Sequence, residues 1–419
     1  MKKTVLVRGP ALTQSGYGEH TRFLLRSLKM FPEKYDVHLV ALNWGQTGWL
    51  SEDSEEREWL DGLIYKTHQH VQQGGHFDMS IQVSIPNEWE PIAPYNVGVT
   101  AGIETTKVSP QWLERANIMD KIITISEHSK SVFEQTTYHG VHKDTQQPMM
   151  LKCETPIDIV HYPVKNQTTE DIELDLEHDF NYLMVSQWGP RKNMANALRW
   201  WLEENYDEEV GLIVKTSLKN NSIMDRTHIL KDLRRLISDS LSEDAKCKIY
   251  LLHGDMSESQ MQSLYANPKI KALINLSHGE GFGLPIFDAA CHGLPVIAPG
   301  WSGHCDFLYK PDKKGNKKAL FADVNYDISP VQDFAVWDSV VQKDSMWCFP
   351  HEGHYKMRLR QVRKNYDKWH KKAKVLQEWV LEEFESEKQH KLFANAVGGE
   401  EQDVGSWLEE LSQSIVEHE

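Results

Sequence analysis

The chain has 419 residues, too many for one compact core and of a length for two domains plus an extension. Apolar residues make up 40%, aromatics 10% and charges 26%, an ordinary globular composition, while a formal net charge of −15 excludes a bulk basic surface for nucleic acid. The five cysteines, Cys153, Cys247, Cys291, Cys305 and Cys348, are scattered without a C-x-x-C pair, which argues against a disulfide framework and predicts reduced thiols in a cytoplasmic protein.

The opening "MKKTVLVRGP" holds too short an apolar run for a signal peptide and predicts a first strand at Thr4–Val7. Further strands are predicted at Val37–Leu42, Ser80–Ile85, Val97–Thr100 and Lys121–Ile125. A second series follows at Tyr182–Ser186, Gly211–Lys215, Lys248–Leu252, Ala272–Leu276 and Pro295–Ala298. Amphipathic stretches such as "GEHTRFLLRSLKMF" and "SESQMQSLYAN" lie between them, the latter with Ser257 as predicted N-cap. Strand and helix in alternation imply parallel sheets covered on both faces, and two series imply two doubly wound domains. The polar, acidic segment Val164–Asp179 marks the boundary, so the expected domains are 1–165, 166–350 and a helical extension at 351–419. Within that extension, residues 356–374 carry nine Lys or Arg and one acid, which reads either as a solvated helix face or as a contact for an acidic acceptor or anionic lipid. No apolar run approaches the roughly 18 residues that a membrane span needs.

Ligands of such sheets bind where strands lead into helices. One such turn, "SHGEGFGLP", joins the predicted strand "KALINL" to the helix "PIFDAACHG". Glycines at 279, 281 and 283 let backbone approach a ligand, and free N–H groups at a helix start favour a phosphate. Glu280 would repel that phosphate unless its task is to accept hydrogen bonds from sugar hydroxyls. Asp288, inside the helix, is suited to the two hydroxyls of a ribose, and the combination is a nucleotide-sugar. Each acid also has a plainer reading, as a carboxylate stabilised by the helix dipole. No His/Cys/Asp cluster has metal-ligand spacing, so no metal is expected.

"EGFGLP" at Glu280–Pro285, "GLPVIA" at Gly293–Ala298 and the acid Asp306 in "SGHCD" together resemble the E-x7-E signature of the family 4 retaining glycosyltransferases, with Asp288 in place of the second glutamate. The resemblance implies the GT-B fold, with two Rossmann-like domains facing a cleft and a C-terminal extension crossing back. It implies transfer of a sugar from a UDP- or GDP-sugar to a hydroxyl, with retention, no further cofactor and no metal. Glu280, Lys192 and Arg191 become the catalytic candidates. The donor falls to Gly281, Phe282, Gly283, Leu284, Asp288 and Lys215. The family's arginine, expected at about Gln187, is missing, and Arg191 or Lys215 stands in for it. Gly16 and Gly18 match the family's N-terminal glycine loop, and Glu104 and His128 lie in segments that border the acceptor side; His20 and His278 are weaker candidates. The acceptor implied is a saccharide or glycolipid first, hydroxymethylated pyrimidines in DNA as a phage-type alternative. A non-catalytic nucleotide-sugar-binding protein is a third reading.

Overall fold

The computed structural model describes residues 2–44, 53–141, 147–240 and 244–398. Short aliphatic strands, buried on both faces, pair into two parallel sheets. The first takes β1 (Lys3–Gly9), β2 (Tyr35–Ala41), β3 (Met79–Val83), β4 (Tyr95–Val99) and β5 (Lys121–Thr124); after an antiparallel hairpin of β6 (Tyr138–Val141) and β7 (Pro148–Leu151), β8 (Ile157–Ile159) completes it. The second takes β9 (Asn181–Val185), β10 (Gly211–Lys215), β11 (Lys248–Leu252), β12 (Ile270–Ile274) and β13 (Val296–Pro299); beyond the hairpin β14 (Tyr309–Pro311) and β15 (Lys317–Ala319), β16 (Ala322–Val324) is its edge. A last hairpin, β17 (Tyr326–Pro330) and β18 (Met346–Pro350), leans on the first domain, where Thr106 N donates to Met346 O at 2.9 Å.

The strand orders are β2-β1-β3-β4-β5-β8 and β11-β10-β9-β12-β13-β16. The first reverses between β1 and β3, the second between β9 and β12, and each reversal opens a crevice at the carboxyl ends of its strands. Helices cover both sheets: α1 (Gly16–Lys29), α2 (Glu55–Gln72), α3 (Pro110–Ala116) and α4 (Glu127–Gln135) on the first, α5 (Met194–Asn205), α6 (Ile223–Ser240), α7 (Glu258–Ala266), α8 (Leu284–Cys291) and α9 (Cys305–Leu308) on the second. Serines cap several of them, and Ser257 forms the full capping box with Gln260 at α7.

The C-terminal stretch is three helices where the sequence reads as one long one: α10 (Glu352–Lys364), α11 (Tyr366–Glu383) and α12 (Ser386–Gly398). The first break is at Asn365, whose φ of −125° and ψ of 43° leave the helical region. At the second, the Glu385 carboxylate accepts from the N–H groups of Glu387 and Lys388 and restarts the helix. The α12 helix crosses back onto α1, with Phe393 against Phe23 at 4.8 Å and Tyr35 Oη donating to Ala394 O at 3.1 Å. Residues 399–419 of the predicted extension lie outside the described residues. The basic stretch meets its own acids: Lys356 pairs with Glu203 and Glu352 at 2.6 Å, Arg360 with Glu204 at 2.7 Å, and Arg363 with Glu208. Its first half is thus the seam between α10 and the acidic edge of α5, and not a free surface for an external anion. The boundary segment is fastened too, through Val164 N to Phe384 O at 2.8 Å, Gln167 Nε2 to Cys291 O at 2.9 Å and Glu170 N to Ser263 Oγ at 2.8 Å.

His20 belongs to the seat of α12. Its ring is fully buried beside Tyr162 and Phe393, at 5.2 and 5.6 Å, with neither nitrogen hydrogen-bonded among the described residues. Burial pushes its pKa down to about 3. Below the ordinary value of about 6.5 the unfolded chain takes up a proton that the folded chain does not. Stability therefore falls as the pH drops from about 6.5 towards the folded value, by about 1.4 kcal/mol per pH unit from this residue. His20→Phe is expected to remove that part of the slope; melting temperature against pH, between 7 and about 4, checks it.

Candidate active site

The crevice at the β9/β12 reversal is built from three loops. After β9, a 3-10 turn at Pro190–Lys192 ends in Asn193, whose φ of 51° is a left-handed conformation that asparagine tolerates. After β12 comes the loop to α8, and after β13 the loop 300–304. Backbone and side chains lock them together: His278 N donates to Arg191 O at 2.8 Å, Asn193 Nδ2 to Leu276 O at 3.2 Å, Glu280 N to Ser302 Oγ at 2.9 Å and Gly303 N to Glu280 O at 2.9 Å. Ser302 holds a φ of +77°, a strained choice for a residue with a side chain, and it is this residue that fixes the Glu280 backbone.

Glu280 is 5% exposed. Its carboxylate takes Lys192 Nζ at 2.6 and 2.8 Å, Arg191 Nη1 at 3.2 Å and Asn275 Nδ2 at 3.3 Å. Arg191 also donates to Gly279 O at 2.7 Å and lies 3.4 Å from Glu104 of the first domain. Burial alone would raise the Glu280 carboxyl, but Lys192 and Arg191 overcome it and hold the group far below the ordinary range. For Lys192, burial and the adjacent Arg191 push the ammonium down against the pull of Glu280. The cluster formally sums to zero: two cations, two carboxylates. Three of the sequence candidates, Glu280, Lys192 and Arg191, thus meet directly, and Glu104 joins them from across the cleft.

The glycines of the loop are spent differently from the sequence expectation. A Cβ on Gly279 would stand 2.1 Å from Glu104 O, and one on Gly281 2.3 Å from Ala101 O. Both positions therefore serve the close approach of the two domains. Gly283 caps α8 with a φ of +92°, and Phe282 is buried in an aromatic cluster with Tyr162, Phe287 and Phe307. Leu284 opens α8. Asp288 lies apart from Glu280, with Lys165, His292 and Glu19 as its charged neighbours; burial pushes its carboxyl up against the pull of Lys165. Lys215 donates to Gly254 O and joins no contact of the Glu280 cluster. Gln187, at the missing arginine's position, donates to Leu218 O at 2.6 Å. Gly16 starts α1 with open space where a Cβ would stand, and its carbonyl accepts from Tyr162 Oη at 3.1 Å; a Cβ on Gly18 would stand 2.0 Å from Thr13 O. His128 faces Trp301 across the cleft at 4.9 Å and pairs with Thr105 O at 3.2 Å; burial lowers its pKa to about 4. His278 is a fastener, with Nδ1 2.5 Å from Cys348 O and its ring stacked on Trp347 at 4.8 Å. Among the described residues, no group of three or more His, Cys, Asp or Glu is arranged to hold a metal ion, and no helix is long and apolar enough to cross a membrane.

One contributor, Asn275, escaped the sequence reading, and another, Asp306, was marked there without a role. Asn275 also accepts from Ser277 N and Oγ, at 3.0 and 2.6 Å, and so braces the loop from below. Asp306 Oδ2 accepts from Glu127 N at 2.8 Å and lies 3.0 Å from His161 Nε2, both across the cleft.

No family model matches the chain, and no curated protein matches it. Among solved structures, HepE of Anabaena in complex with UDP and glucose aligns with a TM-score of 0.59 at 13% identity, over 94% of this chain and 99% of its own. Sucrose-phosphate synthase of Thermosynechococcus elongatus gives 0.59 at 11% identity over 99% and 100%, and a glycosyltransferase of Rickettsia africae 0.59 at 11% over 95% and 100%. The chain has the GT-B fold. In this GT-B cleft, Glu280 and its cations line the second domain's wall, and Glu104 reaches them from the first.

A buried carboxylate that loses a cation is costly. Lys192→Met is expected to destabilise the protein by about 3–5 kcal/mol. Adding Glu280→Gln should return a large part of that loss, because the stranded charge goes with it. Urea unfolding of both variants measures the coupling; strictly additive losses would deny it.

Proposed function

We propose that the protein is a retaining glycosyltransferase that moves a sugar from a UDP-sugar to a hydroxyl acceptor. The observation that carries this reading is the Glu280–Lys192–Arg191 cluster at the β9/β12 reversal of a GT-B fold. The relative solved with UDP and glucose supports the choice of donor.

Without donor, Glu280 neutralises two half-buried cations. A diphosphate entering the crevice competes for them with more charge, so Lys192 and Arg191 turn to its oxygens and Glu280 is released towards the sugar. In the resting site Lys192 and Arg191 keep Glu280 ionised, and a carboxylate released from them has its oxygens free to accept hydrogen bonds from sugar hydroxyls. The reaction breaks the bond between the anomeric carbon and the β-phosphate oxygen and forms one from that carbon to the acceptor oxygen. The leaving phosphate oxygen takes the acceptor's proton on the same face, which retains configuration. Lys192 and Arg191 stabilise the charge that develops on the diphosphate, so the cations in the step are side chains and no cofactor enters it. Asp288 binds the ribose, and the N–H groups of Gly281 to Gly283 approach the phosphates.

Release of UDP from UDP-glucose, UDP-galactose and UDP-N-acetylglucosamine tests this. Lys192→Ala and Glu280→Ala are each expected to lower turnover by about 10²–10³, with folded protein shown by circular dichroism. Turnover near wild type in both would sink the assignment, and so would a wild-type protein that binds these donors and never turns them over.

A further inference from the structure

The first sheet has its own reversal, between β1 and β3, and the Glu280 site does not use it. A cavity of about 400 Å³ lies there, within the range of small-molecule sites. It is lined by Arg8 at the end of β1, Asn43 and Trp44 after β2, and Asn87, Glu88 and Glu90 after β3. Arg8 Nη1 donates to Glu90 Oε1 at 2.7 Å and to Glu88 O at 3.3 Å. Asn87 Oδ1 is buried with no hydrogen-bond partner among the described residues, an acceptor waiting for a donor. Arg115 also lines the cavity, so two guanidinium groups face two carboxylates and the charges balance.

These features select a ligand class. An apolar ligand would leave the Asn87 oxygen unsatisfied. A phosphate group, whose oxygens only accept at neutral pH, would likewise leave that oxygen without a donor. A polyhydroxylated neutral molecule satisfies amide, carboxylate and guanidinium together, and can lie on the Trp44 indole. The cavity is also near the donor wall. Trp44 touches Tyr17 with ring centroids 5.0 Å apart, Tyr17 Oη pairs with Thr100 Oγ1 at 2.9 Å, and the next carbonyl, Ala101 O, abuts Gly281. Two layers of residues, Tyr17 and then Thr100–Ala101, lie between the two sites.

We propose that this cavity anchors a neutral oligosaccharide acceptor by an inner sugar, with the sugar to be glycosylated extending past Tyr17 to the Glu280 site. The proposal rests on the glycosyltransferase reading above and names its acceptor. The test is isothermal titration of the full chain, saturated with UDP, using neutral trisaccharides (maltotriose, cellotriose, chitotriose, laminaritriose, mannotriose), glucose, glucose 6-phosphate and a short DNA duplex. At least one trisaccharide should bind, more tightly than glucose, and both Trp44→Ala and Asn87→Ala should weaken it at least tenfold. No trisaccharide binding, equal binding in both variants, or a preference for the phosphorylated sugar or the duplex overturns it. Donor turnover by the wild-type protein is scored separately. If UDP is released yet no trisaccharide binds, only this inference falls; if no UDP is released, the enzymatic reading falls by itself.

Discussion

A single buried carboxylate organises this molecule. Glu280 stands in a low-dielectric crevice where an unpaired charge would be untenable, so it commits Lys192 and Arg191 to itself, and Arg191 in turn draws Glu104 from the other domain. Four side chains from three loops must be in place for the charges to cancel. Closure of the domains and assembly of the site are therefore one event. The same cancellation leaves both cations paired and only half-buried at the mouth of the crevice.

Charge alone does not bring the loops that close. The contact between domains is backbone on backbone, Ala101 and Glu104 carbonyls against Gly281 and Gly279, with Gly102, at a φ of +107°, facing Gly281. Any side chain at these positions would hold the domains apart by at least a carbon's width and open the Glu104–Arg191 gap, which is already 3.4 Å. The glycine spacing "GEGFG" thus serves interdomain fit at two positions and helix capping at the third.

Much of this was legible in the sequence, for identifiable reasons. All ten predicted strands exist, because parallel strands buried on both faces are uninterrupted apolar runs. The edge strands β8 and β16 were missed: each is three residues long and lacks such a run. Of the three antiparallel hairpins, β14 and β15 are short and polar, whereas β7 (PMML) and β18 (MWCFP) are apolar runs whose pairing partners are too polar to mark a strand. At the site, the motif put Glu280, Lys192 and Arg191 in one crevice but not in contact with one another, and their salt bridges, Glu104's role, the Asp306 bridge and the strained Ser302 depend on which loops face each other across the cleft. The first half of the basic run at 356–374 misled, since its partners lie over 150 residues earlier, at Glu203 and Glu204 on α5 and Glu208 just after it. Local charge density says nothing of such a match.

The path of the chain also constrains how the cleft can open. It crosses between domains twice, once after β8 and once between α11 and α12, and α12 is bound to the first domain through Phe23, Tyr35 and Ser27. Those two crossings are hydrogen-bonded to each other, Val164 N to Phe384 O at 2.8 Å. Two separate hinges would have to bend in concert; two crossings tied at one point act as a single pivot. Rotation about that point would part the backbone contacts at Gly279 and Gly281 while leaving α12 seated on α1; the Asp306–His161 pair sits beside the pivot, where the His161 ring meets Phe384 at 5.2 Å. The contacts at Gly279 and Gly281 are backbone approaches, whereas α12 is held on α1 by packed aromatic rings. The weaker contacts thus lie along the cleft, and the closest packing lies under α12.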